Sequence, residues 1–454
     1  MPFLLRRPEA ERAQRPRGAN TSRRAEMGLL AMSSVIVVGA YVLTVLGNTA
    51  KVPPNTSTVL VVILGLSAIA HVGTRVLAPD ANPVLLPIAS LLNGLGYVML
   101  VDIGQNKSYP PRLQAIWSAI GVAAYLTTLL FIKRSRDLDR YRYLLLLGAA
   151  FLMLSPLIPG LKDPLTLKDG SLVKLFIKIG PVSGQPVELA KLALVVFFAS
   201  YFSEKRELLS IPTARIGNRL VVDPRPLGPI FMAWGFCMVV LGAERDIGFA
   251  LLIFVLFIAM LWLATGRWRY IIFGMALFAG GAVIASKLFS QVNQRVAGWL
   301  HPDHTGQLFS GLFGLGSGGL TGTGLGFGLL SKIPTVGSDY IFAAIGTEWG
   351  LLGTSLIVMA YLLIVGSGLR IAQTARSEFA KLAAAGLTVA IGMQAFFIMA
   401  GIVRILPLTG ITLPFMAYGG SSLVANYILI ALLMRISDEG SRPRIARAAT
   451  ATEV

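Results

Sequence analysis

Apolar runs about 20 residues long, nearly free of charge, recur from one end of this sequence to the other, and that is the length a helix needs to cross a membrane. They fall near 28–46, 58–77, 84–101, 113–132, 143–159, 186–203, 227–242, 247–264, 270–288, 349–369, 382–404 and 412–434. The pattern predicts an all-α polytopic membrane protein of roughly 12 transmembrane helices, with a large extracytoplasmic loop before the tenth. Composition agrees, since 55% of the 454 residues are hydrophobic and only 14% charged, more apolar matter than one soluble core hides. The net charge of +18 would suit nucleic acid. The basic residues, however, sit in short segments between apolar runs, where lipid head groups and membrane orientation account for them. That excludes a soluble nucleic-acid binder. The lone Cys237, inside an apolar run, excludes an intrachain disulfide or a thiolate zinc site.

Charge asymmetry orients the spans. Arg6, Arg7, Arg12, Arg15, Arg17, Arg23 and Arg24 precede the first run, and Lys133, Arg134, Arg136, Arg140 and Arg142 follow the fourth. Lys205, Arg206, Arg215, Arg219 and Arg225, then Arg267 and Arg269, then Arg370, Arg376 and Lys381 fall on the same side if spans alternate. That side is cytoplasmic by the positive-inside rule, as are both termini. Residues 1–27 read as an Arg-rich cytoplasmic tail rather than a signal peptide, 28–436 as the membrane domain and 437–454 as a second cytoplasmic tail. The connection at about 289–348 then lies outside, and a connection that long is more often functional than linker.

Ionisable residues near the outer ends of spans are the chemical candidates. In SDYIFAAIG, Ser338 and Asp339 precede an apolar helical stretch, so Asp339 is a helix cap or a catalytic group. Glu348, nine residues on, lies about half a turn away on an unbroken helix, so the two carboxylates do not form a simple dyad. In QPVELAK, Glu188 and Lys191 share a helix face and can pair. ERDIG places Glu244, Arg245 and Asp246 in a tight outer turn, which reads as a solvated corner. GLGSGGLTGTGLGFG lacks the Gly-Lys-Ser/Thr ending and preceding strand of a nucleotide loop and reads as a flexible re-entrant segment. His301, Asp303 and His304 offer few ligands and are weak evidence for a metal site. Arg295, Lys332 and Arg404 are cations kept on the outer side against the positive-inside bias, which suggests an anionic ligand.

QPVELAK, GSGGLTGTGLGFG, SDYIFAAIGTEWGLLG and LPLTGITLPFMAYGGSSLVANYILIALL resemble, in order and spacing, the SEDS family of shape, elongation, division and sporulation proteins. The resemblance covers about 84–436 and leaves two extra N-terminal spans at about 28–83. It is nearer the elongation (RodA) type, in its actinobacterial form, than the related division (FtsW) type. It implies a plasma-membrane peptidoglycan glycosyltransferase that polymerises lipid II outside the membrane. The implied partners are a class B penicillin-binding protein (a transpeptidase), the lipid bilayer and other elongation-complex proteins. No cofactor is certain, and a divalent cation, Mg or Mn, is one this chemistry can use.

Carried onto this sequence, the family's catalytic aspartate falls on Asp339. Diphosphate contacts are expected from Lys191, Arg295, Lys332 and Arg404, and site-wall or supporting roles from Glu188, Asp246, Ser338, Glu348, Gly419, Gly420 and Ser421. ERDIGF stands where many members have QPDLGT, and the Arg-Trp usual before QP-E-AK is missing, which leaves Lys174 or Lys178 to supply that cation. The residues alone do not separate a cavity for catalysis from one for passage. A lipid II flippase and a non-catalytic scaffold are therefore the rival readings.

Overall fold

The computed structural model describes residues 17–49, 56–103, 109–158, 162–166, 172–179, 182–210, 212–216, 219–222, 228–288, 290–301 and 306–441. The first helices are α1 (Arg17–Thr49), α2 (Thr56–Leu77), α3 (Leu85–Ile103), α4 (Pro111–Phe131), the short α5 (Ser135–Arg140) and α6 (Arg142–Leu154). Strands β1 (Lys162–Thr166), β2 (Leu172–Ile179) and β3 (Val182–Gly184) then precede α7 (Val187–Ser210), and β4 (Pro212–Ile216) and β5 (Arg219–Val222) precede α8 (Gly228–Glu244). There follow α9 (Ile247–Thr265), α10 (Trp268–Leu288), α11 (Ser290–Leu300), α12 (Gln307–Ser317), α13 (Ile341–Thr374), α14 (Glu378–Ile402) and α15 (Gly420–Ser441).

Every apolar run of the sequence coincides with a helix, and among the described residues 8 helices are long and apolar enough to cross a membrane. The other expected spans fall on the shorter apolar stretches Leu64–Leu77, Arg142–Leu157 and Phe231–Glu244, and on α7, whose last turns carry Glu204, Lys205, Arg206 and Glu207. The bundle is all-α as expected. Its connections add a three-stranded and a two-stranded antiparallel sheet that hydropathy does not reveal, although LVKLFIKI is rich in β-branched and aromatic residues. Large apolar side chains such as Ile272, Met275, Leu352 and Leu356 point outward, as lipid-facing positions do.

Helix ends depart from the hydropathy pattern where the chain bends. The last helix begins at Gly420 rather than near 412, because residues 411–419 form a mostly buried non-helical segment that turns at Phe415 (φ 66°), where the Leu413 carbonyl accepts from the Met416 and Ala417 amides. The tenth span begins at Ile341 rather than 349 and is broken at Gly350 (φ 65°, ψ −161°). The glycine-rich stretch is responsible. Leu351 and Leu352 donate to the carbonyls of Gly319 and Leu320, while the carbonyls of Thr347 and Glu348, freed by the break, accept from Thr323 and Gly324. A side chain at Gly322 (φ 86°) would stand 1.9 Å from the Glu348 carbonyl, so glycine is required by space and conformation alike. The segment expected to be a flexible loop is therefore a packed splint on α13.

At the opposite end of the bundle, Arg435 of α15 donates to the carbonyls of Leu77, Leu129 and Ile132, closing α2 and α4 onto the last helix. Ser135 donates to Glu439 there through both its amide and its hydroxyl.

Candidate active site

Asp339 stands on a turn built by its neighbours. The Thr335 carbonyl accepts from the amides of Ser338, Asp339 and Tyr340, at 3.1, 3.1 and 3.3 Å. The helix starts only at Ile341, with Tyr340 in the capping position and no side-chain cap bond. Asp339 is therefore not the helix cap, and its carboxylate is free to face the groups around it. Tyr340 is wholly buried, its ring lying where a Cβ on Gly311 would be 2.5 Å away. That packing anchors the turn on α12.

Burial pushes the Asp339 carboxyl up to about 6, and the Ser338 hydroxyl and the Arg295 guanidinium hold it down against that trend. Tyr109 hydrogen-bonds Ser338 and meets Tyr418 edge-on at 5.6 Å between ring centroids. The Tyr418 amide donates to the Gly337 carbonyl at 2.8 Å. The approach to α4 and the chain before α15 thus wall the aspartate.

Arg295 sits between two aspartates electrostatically, since both Asp246 and Asp339 favour its charged form. Its guanidinium donates to the Thr409 carbonyl at 2.8 Å. Arg404, at φ 63°, donates to the carbonyls of Trp299 and Leu300 at the end of α11, and the Trp299 indole returns a bond to the Arg404 carbonyl. Arg404 therefore caps the helix that carries Arg295. Asp246 is buried at the N-terminus of α9, accepting from the Phe249 amide and the Gln185 amide nitrogen, both at 3.0 Å. Glu244 is buried as well. The ERDIG turn is thus not the solvated corner expected, because the 404–412 segment folds over it: a Cβ on Gly248 would lie 2.5 Å from the Thr409 carbonyl.

Glu188 and Lys191, both fully buried, form a separate network. Lys191 donates to Glu188 and to Gln394 of α14. Gln394 donates onward to the Thr412 carbonyl at 2.9 Å, and the Thr412 hydroxyl donates to Glu188 at 3.2 Å. Every polar group in it has a partner inside the protein. Alongside it the Gln185 amide donates to Ser421 at 3.0 Å. Gly420 meets Trp117 so closely that a Cβ would fall 2.1 Å from the indole, and Gly419 lies against Thr412. Glu348 accepts from the Gly326 amide at 3.2 Å and hydrogen-bonds Asp102 at the end of α3, so it ties the splint to the bundle. Lys332 is exposed, its ammonium unpaired among the described residues.

The structure thus gathers Asp339, Ser338, Arg295 and Asp246 in one place and sets Glu188 and Lys191 behind them. The side chains of Lys174 and Lys178, and residues Asp303 and His304, lie outside the described residues. Tyr109, Asp102, Gln185, Gln394 and Thr412 were not anticipated. Only Gln394, a polar residue inside an apolar run, carried a visible signal.

Fold and site together define a multi-pass membrane protein with an acid–base and cation cluster at one end of its helical bundle. This chain belongs to the FtsW/RodA/SpoVE family of cell cycle proteins, which it matches over residues 84–442. It is 38% identical to the peptidoglycan glycosyltransferase RodA of Mycobacterium tuberculosis H37Rv over 436 residues, covering 93% of this chain and 92% of that one. To the Mycobacterium leprae protein of the same name it is 36% identical, covering 94% and 93%. A chain from a solved peptidoglycan synthase complex that coordinates polymerization and crosslinking superposes with a TM-score of 0.56 at 22% identity, covering 85% of this chain and 98% of that one, a likeness of fold.

Proposed function

We propose that this chain is a peptidoglycan glycosyltransferase that polymerises lipid II into glycan strands during cell elongation. The observation that carries the reading is a half-buried carboxylate, Asp339, released from helix capping and facing Arg295 in a family whose mycobacterial relatives are named for this activity. Asp339 acts as general base on the acceptor sugar's 4-hydroxyl as that oxygen attacks the donor's anomeric carbon and expels the lipid diphosphate. Donor and product linkages have opposite configuration, so one inverting displacement suffices. A base raised to about 6 is ionised at neutral pH yet a better proton acceptor than an ordinary aspartate. Arg295 and Lys332 meet the charge developing on the diphosphate. Lys191, Glu188 and Asp246 hold the wall, and Arg404 holds Arg295.

The proposed placement is the bacterial plasma membrane, with both termini cytoplasmic, Asp339 outside, and α1 and α2 added to a core that starts at about 84. The partner is a class B penicillin-binding protein within the elongation complex, which a fold shared with a synthase-complex chain supports. Among the described residues no three His, Cys, Asp or Glu side chains form a candidate cation site, and no step is assigned to a metal.

The test is glycan formation from purified lipid II, with divalent cation and a transpeptidase-inactive partner, comparing wild type with Asp339→Asn. Polymer from the wild type and none from a folded, partner-bound variant supports the reading. Equal polymer from both removes the general base. Lipid II translocation without polymerisation by either protein would point to a flippase.

A further inference from the structure

A sizeable cavity lies not at Asp339 but beside it, between α2 and α4. It has a volume of about 630 Å³ and is floored by α3 and by Tyr427 of α15, a size typical of ligand sites. At the far end the two wall helices touch: a Cβ on Gly73 would lie 2.2 Å from Leu126, and Thr74 and Tyr125 hydrogen-bond at 2.8 Å. The lining of the cleft runs from that side to Arg112 at the start of α4.

Its depth is that of one leaflet. From Arg112 to Val122, both lining residues, α4 rises about 15 Å, half of a hydrocarbon core of about 30 Å. Ile116, also on the wall, is 46% exposed, so the cleft opens sideways to the membrane. Three of the polar lining groups answer one another: Ser118 donates to Asn93, and Asn93 to Tyr427, both at 3.2 Å. Ser67, Ser90 and Tyr97 are the other polar side chains on a mostly apolar lining, and Arg112 is its one cation. Arg112 is exposed and makes no ion pair or side-chain hydrogen bond among the described residues. Three residues before it, Tyr109 bonds Ser338, next to Asp339.

We propose that this cleft holds the phosphate-proximal part of the hydrocarbon chain of an isoprenoid phosphate lipid, with Arg112 on its phosphate and its head group delivered toward Asp339. A single slot admits one chain, whereas a diacyl lipid would leave its second chain unhoused. Arginine at the mouth suits phosphate better than a neutral head group. The wall supplied by Val62, Leu66 and Ser67 precedes residue 84, where the family match begins, so α2 converts a lipid-facing surface of the shared core into an enclosed site. The proposal rests on the polymerase reading for the head group's identity, but chain binding is measured separately.

Full-length protein in nanodiscs would be photolabelled with an undecaprenyl phosphate analogue carrying a diazirine in the isoprene units next to the phosphate, in both wild-type and Asp339→Asn backgrounds. Labelled peptides are expected from 62–67, 90–97 and 115–122, equally in both backgrounds. Polymerase failure and binding failure are thereby distinguished. Ala119→Trp, which fills the cleft, should abolish the label, and Arg112→Ala should weaken labelling about tenfold, about 1.4 kcal/mol. Excess unlabelled undecaprenyl phosphate should compete and phosphatidylglycerol should not. If Ala119→Trp does not yield monodisperse protein, Arg112→Ala and the competition decide. Label elsewhere on the protein, label indifferent to Arg112, or equal competition by phosphatidylglycerol would overturn the proposal.

Discussion

Two charged clusters lie close together in this protein and are built on opposite terms. Glu188, Lys191 and Gln394 are buried, Thr412 is partly so, and the four answer one another completely. Asp339 and Arg295 stand at the rim, neither neutralised by a dedicated ion pair among the described residues, with burial and mutual attraction setting their charge. The inner cluster joins α7 to α14 and the segment before α15, and its chemistry is closed. The outer one keeps a proton acceptor and a cation open to a ligand. Intramembrane charge is therefore not by itself a mark of catalysis: what distinguishes the site is polar capacity left over after folding.

The contrast can be broken most decisively at Asp339. Asp339→Asn should lower polymerisation by about 10²–10⁴-fold, the usual worth of a general base, while thermal unfolding in detergent is unchanged or slightly raised. The sign follows from burial: a carboxyl whose folded pKa is raised loses stability as pH climbs from its unfolded value through about 6, and asparagine escapes that loss. A fall in both activity and melting temperature would make Asp339 structural.

Lys191→Met should do the reverse, costing about 3–5 kcal/mol of stability by stranding Glu188. The double change with Glu188→Gln should recover part of it. If Lys191→Met folds normally but cannot bind substrate, the inner cluster is not closed. Gly322→Ala tests the splint and should cost about 1–3 kcal/mol by overpacking against the Glu348 carbonyl. A melting temperature equal to the wild type's would show the segment is loose after all.

The smallest effect is a shift in pH dependence. Polymerisation should fall below pH about 6 as Asp339 takes up its proton. In Arg295→Gln that limb should move to higher pH, because the cation that favours the ionised carboxylate is gone. An unmoved limb would separate Arg295 from Asp339.

Much of this was legible in the sequence because the solvent is so restrictive. A helix in hydrocarbon must satisfy its own backbone, so the spans, the all-α class and the long connection before Ile341 can be read from apolar length alone. Glu188 and Lys191 at i, i+3 announced their pairing. The flanking motifs placed Asp339, but local pattern made it a cap, and only the turn on the Thr335 carbonyl shows that Tyr340 takes that position. ERDIG read as a solvated corner because nothing local says that residues 404–412 cover it.

Apolar periodicity, charge asymmetry and motif order thus determined that this chain is a multi-pass helical membrane protein of its family, since those properties are written residue by residue. Tertiary structure decided which polar groups consume one another, that a glycine-rich run splints a broken helix, and that α2 and α4 part to leave a leaflet-deep cleft. Each of these depends on segments far apart in the chain, and hydrogen-bond saturation and packing exist only once those segments meet.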